Sequence, residues 1–425
     1  MNSTIRLYDL DSYVREFDAE VLSCEKITAG MYSGMYGMIL DRTAFFPEGG
    51  GQASDTGYFL PDRRLSTSEE APEENRLIVK DVHISDGIIT HYIEPAGAFE
   101  ASCEMLPAPG TQIKGYVDFA VRFDRMQQHS GEHLLSGHVS RLFGYSNVGF
   151  HLSDDVTTVD FDGTFSDTDL KNIEIAVNEA VYSNTACEIF YPSPEELITL
   201  EYRSKKELEG AVRIVRFGNF DTCACCAPHV KRSGEIGLFK ILSAEHFRGG
   251  TRMTIVYGMR ALKAFAGFQD SVRSISQLLS VKPDEVAEGV FKLKDNEKNL
   301  KFENIRLEKE LFAEKIDLLT QQSRTNSPVP FIFTEKANTD NAREAANRLA
   351  EIFPGYCGVF TGNDCDGYSF IIGSKDSDCT ALMNILKTEL DAGGGGKKTM
   401  IQGKVFKPRE TILNTLKQLS RSAAS

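Results

Sequence analysis

The sequence predicts a multidomain α+β protein, on three observations. A chain of 425 residues is too long for one ordinary hydrophobic core, so roughly two to four domains are expected. Strand-and-turn patterns fill its first part and mixed strand and helix patterns its middle, and a long run of helix formers then precedes a final α/β stretch. The composition, 41% hydrophobic and 25% charged, matches that of a soluble globular protein.

Residues 1–110 read as a β-rich, barrel-like domain. In RLIVKDVHISDGIITHYIEP, Asp86-Gly87 separates two apolar-rich runs, a hairpin signal because Gly tolerates the positive φ of a tight turn. The preceding PDRRLSTSEEAPEEN is a polar, acidic loop that carries no evident chemistry. Residues 111–263 form an α/β domain. The strand-like IKGYVDF leads into a helix predicted to open at Asp124, with Gln127 completing a capping box. A second helix begins near Ser166, and VRIVRF, GLFKIL and MTIVYG read as strands.

Residues 264–325 are the helical linker. After a helix start at Pro283, Val286, Val290, Leu293, Leu300, Leu307, Leu311 and Leu318 follow a 4,3 spacing that Glu297, Asn304 and Glu314 interrupt, which predicts a helical hairpin or a weak coiled coil. A helix over 283–320 would be about 57 Å long at roughly 1.5 Å per residue. Residues 326–425 look like a small α/β domain, with AREAANRLAEIF as an amphipathic helix and YCGVFTG and YSFIIGS as buried strands.

The net charge of -14 argues against a protein coated in polyanion, so any nucleic-acid contact must be local. The one clearly basic stretch, 397–421, holds seven basic residues, Lys397, Lys398, Lys404, Lys407, Arg409, Lys417 and Arg421, against the single acid Glu410. Charges break every apolar run before the roughly 20 residues of a membrane span, and the first residues lack a signal-peptide apolar region; a cytoplasmic protein with no membrane partner is expected. In that setting nine cysteines point to buried, metal-bound or catalytic thiols rather than disulfides.

Chemistry concentrates in HSGEHLLSGH, residues 129–138. Read as H-x-x-E-H, His129, Glu132 and His133 are a metallopeptidase signature; read as H-x-x-x-H, the histidines are half of a metal site. They lie about 40° apart on a helix, away from Leu134, Leu135, His138, Val139 and Leu142, so surface histidines are the bland alternative. Downstream, Cys225 and His229 of CACCAPH repeat the four-residue step with donors that Zn²⁺ prefers, while Cys223 and Cys226 stay open as substitutes for Cys225. A peptidase would need a glutamate as its third ligand, so this loop tells against that reading.

HSGEH, the C-x-x-x-H of CCAPH and SGEIGLFKIL together resemble the editing domain of alanyl-tRNA synthetases and the free-standing AlaX-type alanyl-tRNA editing proteins. FFPEGGGQASDTG (45–57) is similar to the family's glycine-rich stretch, GFHLSDDVTTVDF (149–161) to the segment after its histidine helix, and GGGGKKTMIQG to the C-terminal domain shared with DHH-type phosphoesterases. The resemblance covers nearly the whole chain and implies a long form of the editing protein. It implies a zinc editing domain at 111–263 in which His129, His133, Cys225 and His229 hold one Zn²⁺. It further implies removal of serine, or glycine, from mischarged alanine tRNA.

Within that reading Ser130 offers its hydroxyl to the substrate and Glu132 is the nearest carboxylate to act as base, a solvated helix acid being the alternative. Gly49, Gly50, Gly51, Gln52 and Asn147 are the substrate-binding candidates. Lys397, Lys398, Lys404, Lys407 and Arg409 are candidates for tRNA phosphate contact. The helical linker either spaces the catalytic and C-terminal domains along the tRNA or, like the C-terminal domain, mediates a homodimer. No phosphate-binding loop and no room for an aminoacylation domain are found before the histidine helix, so removal rather than attachment of an amino acid is expected. Four ligands binding at once would close a tetrahedral shell, so a non-catalytic tRNA-binding module with a structural zinc is the alternative function.

Overall fold

The computed structural model describes residues 3–61, 76–96, 106–204, 211–323 and 329–422; most of the acidic loop, 62–75, lies outside them. It is a multidomain α+β structure that divides into two compact units, Met1–Ser271 and Val272–Ser425. Among the described residues no helix is long and apolar enough to cross a membrane.

The first unit opens with a closed six-stranded barrel of β1 (Glu16–Lys26), β2 (Tyr36–Leu40), β3 (Gly57–Pro61), β4 (Leu77–Ser85), β5 (Ile88–Pro95) and β6 (Gln112–Val117), in the order β1-β2-β5-β4-β3-β6. Alternate residues point inward, as the period of two requires, so Val21, Met38, Leu40, Phe45, Phe59, Val82, Ile89 and Ile93 are fully buried together. The β4–β5 turn forms at the expected dipeptide: Asp86 and Gly87 both have positive φ, 50° and 77°. His91 sits inside the barrel, where its Nδ1–H donates to the Met38 carbonyl (3.1 Å) and its Nε2 accepts from Thr43 Oγ1 (2.8 Å).

From the barrel the chain enters α1 (Phe119–Phe143), the histidine helix. It starts five positions before the predicted Asp124, because Asp118 supplies the cap by accepting the Val121 N–H (3.3 Å). Asp124 instead pairs with Arg260, and Gln127 donates to the Glu235 carbonyl (2.8 Å). Around α1 stand α2 (Asp167–Tyr182), capped by Ser166 as predicted, and a four-stranded antiparallel sheet of β7 (Asn147–Leu152), β8 (Thr157–Phe161), β12 (Phe239–Phe247) and β13 (Gly250–Tyr257) in the order β12-β13-β8-β7. A three-stranded sheet, β9 (Cys187–Phe190), β10 (Ile214–Phe217) and β11 (Asp221–Ala224), completes the surround.

Leu134, Leu135 and Val139 join one core with Val177, Phe217 and Ile255, whereas Leu142, expected on the same face, is 61% exposed. The polar side of α1 is covered too: Gln128, His129, Ser130, Glu132, His133 and Ser136 are all buried. The surface-histidine alternative is therefore wrong, because the barrel loop and the cysteine loop close over that side.

After α3 (Gly258–Leu279), α4 (Val286–Ser323) is 38 residues long, about 57 Å. Its predicted 4,3 seam is exposed at Leu293, Leu300, Leu307 and Leu318; the helix packs through Phe312 and Ile316, off the seam, against α5 (Thr339–Ile352). A five-stranded sheet follows, β14 (Phe331–Thr334), β15 (Cys357–Asn363), β16 (Gly367–Gly373), β17 (Gly393–Lys397) and β18 (Met400–Val405), in the order β14-β15-β16-β18-β17. α6 (Cys379–Leu390) and α7 (Arg409–Ser422) pack on it through Leu382, Leu386, Ile412 and Leu416.

Candidate metal centre

Helix α1 supplies His129 and His133 one turn apart, and the loop after β11 supplies Cys225 and His229. One donor atom from each lies within 4.8 Å of all the others. The three histidines are at most 3% exposed. His129 Nε2 and His229 Nε2 stand 3.5 Å and 3.3 Å from Cys225 Sγ, so the thiol sits among imidazole nitrogens.

Two imidazoles are hydrogen-bonded through their other nitrogen, and the third, His133, is ion-paired there. His129 Nδ1 donates to Gln52 Oε1 (3.0 Å), His229 Nδ1 lies 2.9 Å from Ser130 Oγ, and His133 Nδ1 lies 3.0 Å from Asp221 Oδ2. Such outer partners set the tautomer and aim the free nitrogen, the arrangement that metal-ligating histidines require. Electrostatics favour a donor role at Cys225 and His229, whereas at His133 the neighbouring Cys223, Asp221 and Cys225 outweigh burial and hold the imidazole well above its ordinary pKa, a proton that a metal would displace. Burial opposes ionisation of Cys225, yet neighbouring imidazoles, His129 first among them, outweigh it and hold the thiol below its ordinary pKa. Burial pushes His229 down to about 3, which keeps it a neutral donor. Cys223 goes the other way, with burial raising it to about 11, and Cys226 is exposed; of the three neighbouring cysteines, Cys225 is the one poised as a thiolate. All cysteines among the described residues are free.

The glycine-rich stretch forms a two-residue turn in which Gly49 and Gln52 exchange both backbone hydrogen bonds at 3.1 Å. Gly50 (φ 62°) and Gly51 (φ 82°) take the left-handed conformations this turn demands, and a Cβ on Gly51 would meet the Phe150 ring at 2.8 Å. The turn therefore lies flat against β7 and delivers Gln52 to His129. Gln52 Oε1 accepts from His129, and its buried amide nitrogen has no hydrogen-bond partner among the described residues. Farther along the same stretch, Asp55 pairs with the fully buried Arg122 of α1 and ties the loop to the helix.

The remaining predicted residues occupy definite places. Ser130 is fully buried behind His229, where its Oγ accepts the Val230 N–H (3.2 Å) and lies 2.9 Å from His229 Nδ1. Glu132 is buried, accepts from Ser136 Oγ (2.5 Å) and also from the Asn147 amide, so two expected site residues bond each other. His83, His91, His138, His151 and His246 stand outside the four-donor group. In the second unit Lys397, Lys398, Lys404 and Arg409 are exposed and Lys407 is half-buried; Lys404 and Arg409 lie over the rings of Phe406 and Phe333.

Sequence reasoning missed Asp221, Arg203 and Arg213. Arg203 forks onto Asp221 (2.7 and 2.9 Å), while Arg213 clasps the carbonyls of Cys225 and Ala227 (2.8 and 3.0 Å) and so holds the ligand loop in place. One signal was available: in D-T-C-A-C, alternate positions of a strand put Asp221, Cys223 and Cys225 on one side. A cleft of about 630 Å³ borders Asp221 and Arg203, with Ser140, Arg141, Arg216 and Tyr202 also in its wall; none of the four donor residues lines it.

Residues 212–252, which include Cys225 and His229, match the family model described as the threonyl and alanyl tRNA synthetase second additional domain. The alanine–tRNA ligase of Pyrococcus abyssi is 27% identical over 443 residues, 98% of this chain and 44% of its own length. The alanyl-tRNA editing protein AlaX-L of Pyrococcus horikoshii is 28% identical over 239 residues, 56% of this chain and 54% of its own length. The alanyl-tRNA editing protein Aarsd1 of Danio rerio is 26% identical over 415 residues, 93% of this chain and 92% of its own length. The chain thus spans about half, or less, of the length of the first two. With the histidine helix and the C-x-x-x-H loop in one cluster, the chain is a sequence relative of the AlaX-type alanyl-tRNA editing proteins and of the matching part of alanine–tRNA ligases.

Proposed function

We propose that the chain is a zinc-dependent hydrolase that removes serine, and glycine, from mischarged alanine tRNA. One observation carries the reading: three buried imidazoles and one cysteine sulfur lie within 4.8 Å of one another, each imidazole with a partner at its other nitrogen. This donor set suits a single Zn²⁺ held by His129, His133, Cys225 and His229. When bound, the ion supplies positive charge that polarises or orients the ester. The names of the editing relatives supply the substrate class.

The chain's own residues then divide the work. Gln52 holds His129 with its oxygen and offers its free amide nitrogen to an acceptor on the substrate, beside the backbone of Gly49, Gly50 and Gly51. A pocket that satisfies a serine hydroxyl rejects alanine, which would leave those polar groups unpaired. Ser130 acts on His229, and Glu132 acts with Asn147 and Ser136 to hold β7 against the helix. Residues 111–263, with the glycine-rich loop of the 1–110 segment, carry this chemistry. Residues 326–425 grip the tRNA through Lys397, Lys398, Lys404, Lys407 and Arg409, and the helical segment 264–325 spaces the two or pairs two copies. The work belongs in the cytoplasm, where tRNA is charged.

A structural zinc in a non-catalytic tRNA-binding module is the second reading, favoured by the four-donor set, which leaves no open position. The test is release of serine, glycine and alanine from charged alanine tRNA, with and without chelator, by the native chain and Cys225→Ala. The proposal predicts serine released faster than alanine and the activity lost in Cys225→Ala. Serine released no faster than alanine by the folded, metal-loaded chain would leave the second reading.

A further inference from the structure

His129 and His229 are anchored by neutral groups, Gln52 and Ser130, but His133 is anchored by a carboxylate. That carboxylate is itself held. Asp221 is 1% exposed at its side chain and receives both Nε and Nη2 of Arg203 in a fork, the geometry that fixes a carboxylate in plane as well as position. Arg203 is in turn fixed to β11 by its backbone: its N–H donates to the Thr222 carbonyl (2.9 Å) and its carbonyl accepts the Ala224 N–H (2.9 Å). From the other side α1 comes close enough at Gly137 that a Cβ there would meet the Phe220 carbonyl oxygen at 2.4 Å, which brings His133 onto Asp221.

The fork matters because a second set of donors competes. His133, Asp221 and Cys223 also have ligand atoms within 4.8 Å of one another, so an unrestrained Asp221 could take a metal itself, with His133 turned away from Cys225. A guanidinium occupying both carboxylate oxygens prevents this.

We infer that Arg203, acting through Asp221, is a positioning residue that aims His133 at the Cys225 side and keeps Asp221 out of the metal's coordination. The inference rests on the metal reading of the four-donor group. Its test uses the full chain with Zn²⁺ and Co²⁺ as probes: Zn²⁺ affinity by competition with a chromogenic chelator, the Co²⁺ absorption spectrum, and circular dichroism as the check on folding.

Asp221→Asn and Arg203→Met are each expected to weaken Zn²⁺ binding about 10-fold to 100-fold, the usual cost of losing an outer partner. Arg203→Met should also change the Co²⁺ spectrum, and Arg203→Lys, which keeps the charge without the fork, should fall between it and the native chain. The double variant should bind no more weakly than Asp221→Asn, since Arg203 acts through Asp221. Unchanged affinity and spectrum in folded Arg203→Met, or fully additive losses in the double variant, would overturn the inference. A native chain that binds no metal would instead overturn the metal reading itself.

Discussion

At the scale of single residues, the two halves of the metal group were legible because each is a four-residue step, and four residues on a helix or in a tight loop share one side. Their anchors were not. Gln52 is 77 positions from His129, and Asp221 lies farther still along the chain from His133, so no local pattern announces them. Ser130 is expected to offer its hydroxyl to the substrate and Glu132 to act as base; the Ser130 Oγ meets His229 and Val230, and the Glu132 carboxylate meets Ser136 and Asn147. A prediction follows for the free amide of Gln52. Gln52→Glu keeps the acceptor that His129 needs and loses the donor, so Zn²⁺ affinity should stay within several-fold while serine release slows about 100-fold, the usual cost of one transition-state donor. Gln52→Ala should lose both. Undiminished turnover in folded, metal-loaded Gln52→Glu would remove the donor role. For Glu132, placed as a support, Glu132→Gln should retain deacylation within about 10-fold; a loss near the upper end of general-base contributions, about 10⁴-fold, would make it the base.

At the scale of elements, the barrel strands, the Asp86-Gly87 turn, the Ser166 cap and the strands at 214–217 and 250–257 were readable, since each rests on local periodicity or turn chemistry. The start of α1 was misread because Asp124 and Gln127 imitate a capping box, while their side chains are used in contacts more than 100 positions away. The 4,3 seam of α4 finds no partner within the described residues, since spacing alone cannot supply a partner surface, and the helix packs through Phe312 and Ile316. Two measurements probe the elements that hold the site. Asp55→Asn leaves Arg122 buried without its charge partner and should destabilise the chain by about 3–5 kcal/mol in denaturant unfolding, the cost of breaking a buried pair; a loss below about 1 kcal/mol would show that Arg122 does not depend on it. His91 gives the barrel a pH dependence. Burial lowers its pKa from 6.5 to about 4, so between those values the unfolded chain binds a proton that the folded chain refuses. Stability from this group is full above pH 6.5 and should fall by up to about 3 kcal/mol as pH drops toward 4. His91→Gln should lack that component; an unchanged pH slope would contradict it.

At the scale of the whole molecule, an acidic chain engages a polyanion only where its basic groups gather. Lys397, Lys398, Lys404 and Arg409 are all exposed in the C-terminal unit, and Lys404 lies over an exposed Phe406 that can stack on a base. Neutralising Lys397, Lys398 and Lys404 together should weaken tRNA binding and flatten its salt dependence by about 0.7–0.9 per lost phosphate contact on logarithmic axes, with little effect on hydrolysis of bound ester. An unchanged salt slope would place the grip elsewhere. Charge composition could point to this stretch; the fold places Lys397 at the end of the edge strand β17, Lys398 in the turn after it, Lys404 on the neighbouring strand β18 and Arg409 at the start of α7. The central claim, that the His129–His133–Cys225–His229 group removes a wrong amino acid from alanine tRNA, meets its most direct test in single-turnover release of serine and alanine from that tRNA. The chain should release serine at least 10-fold faster than alanine, lose that activity on chelation and regain it with Zn²⁺. Equal release of the two amino acids, or serine release that persists in metal-free folded protein, would contradict it.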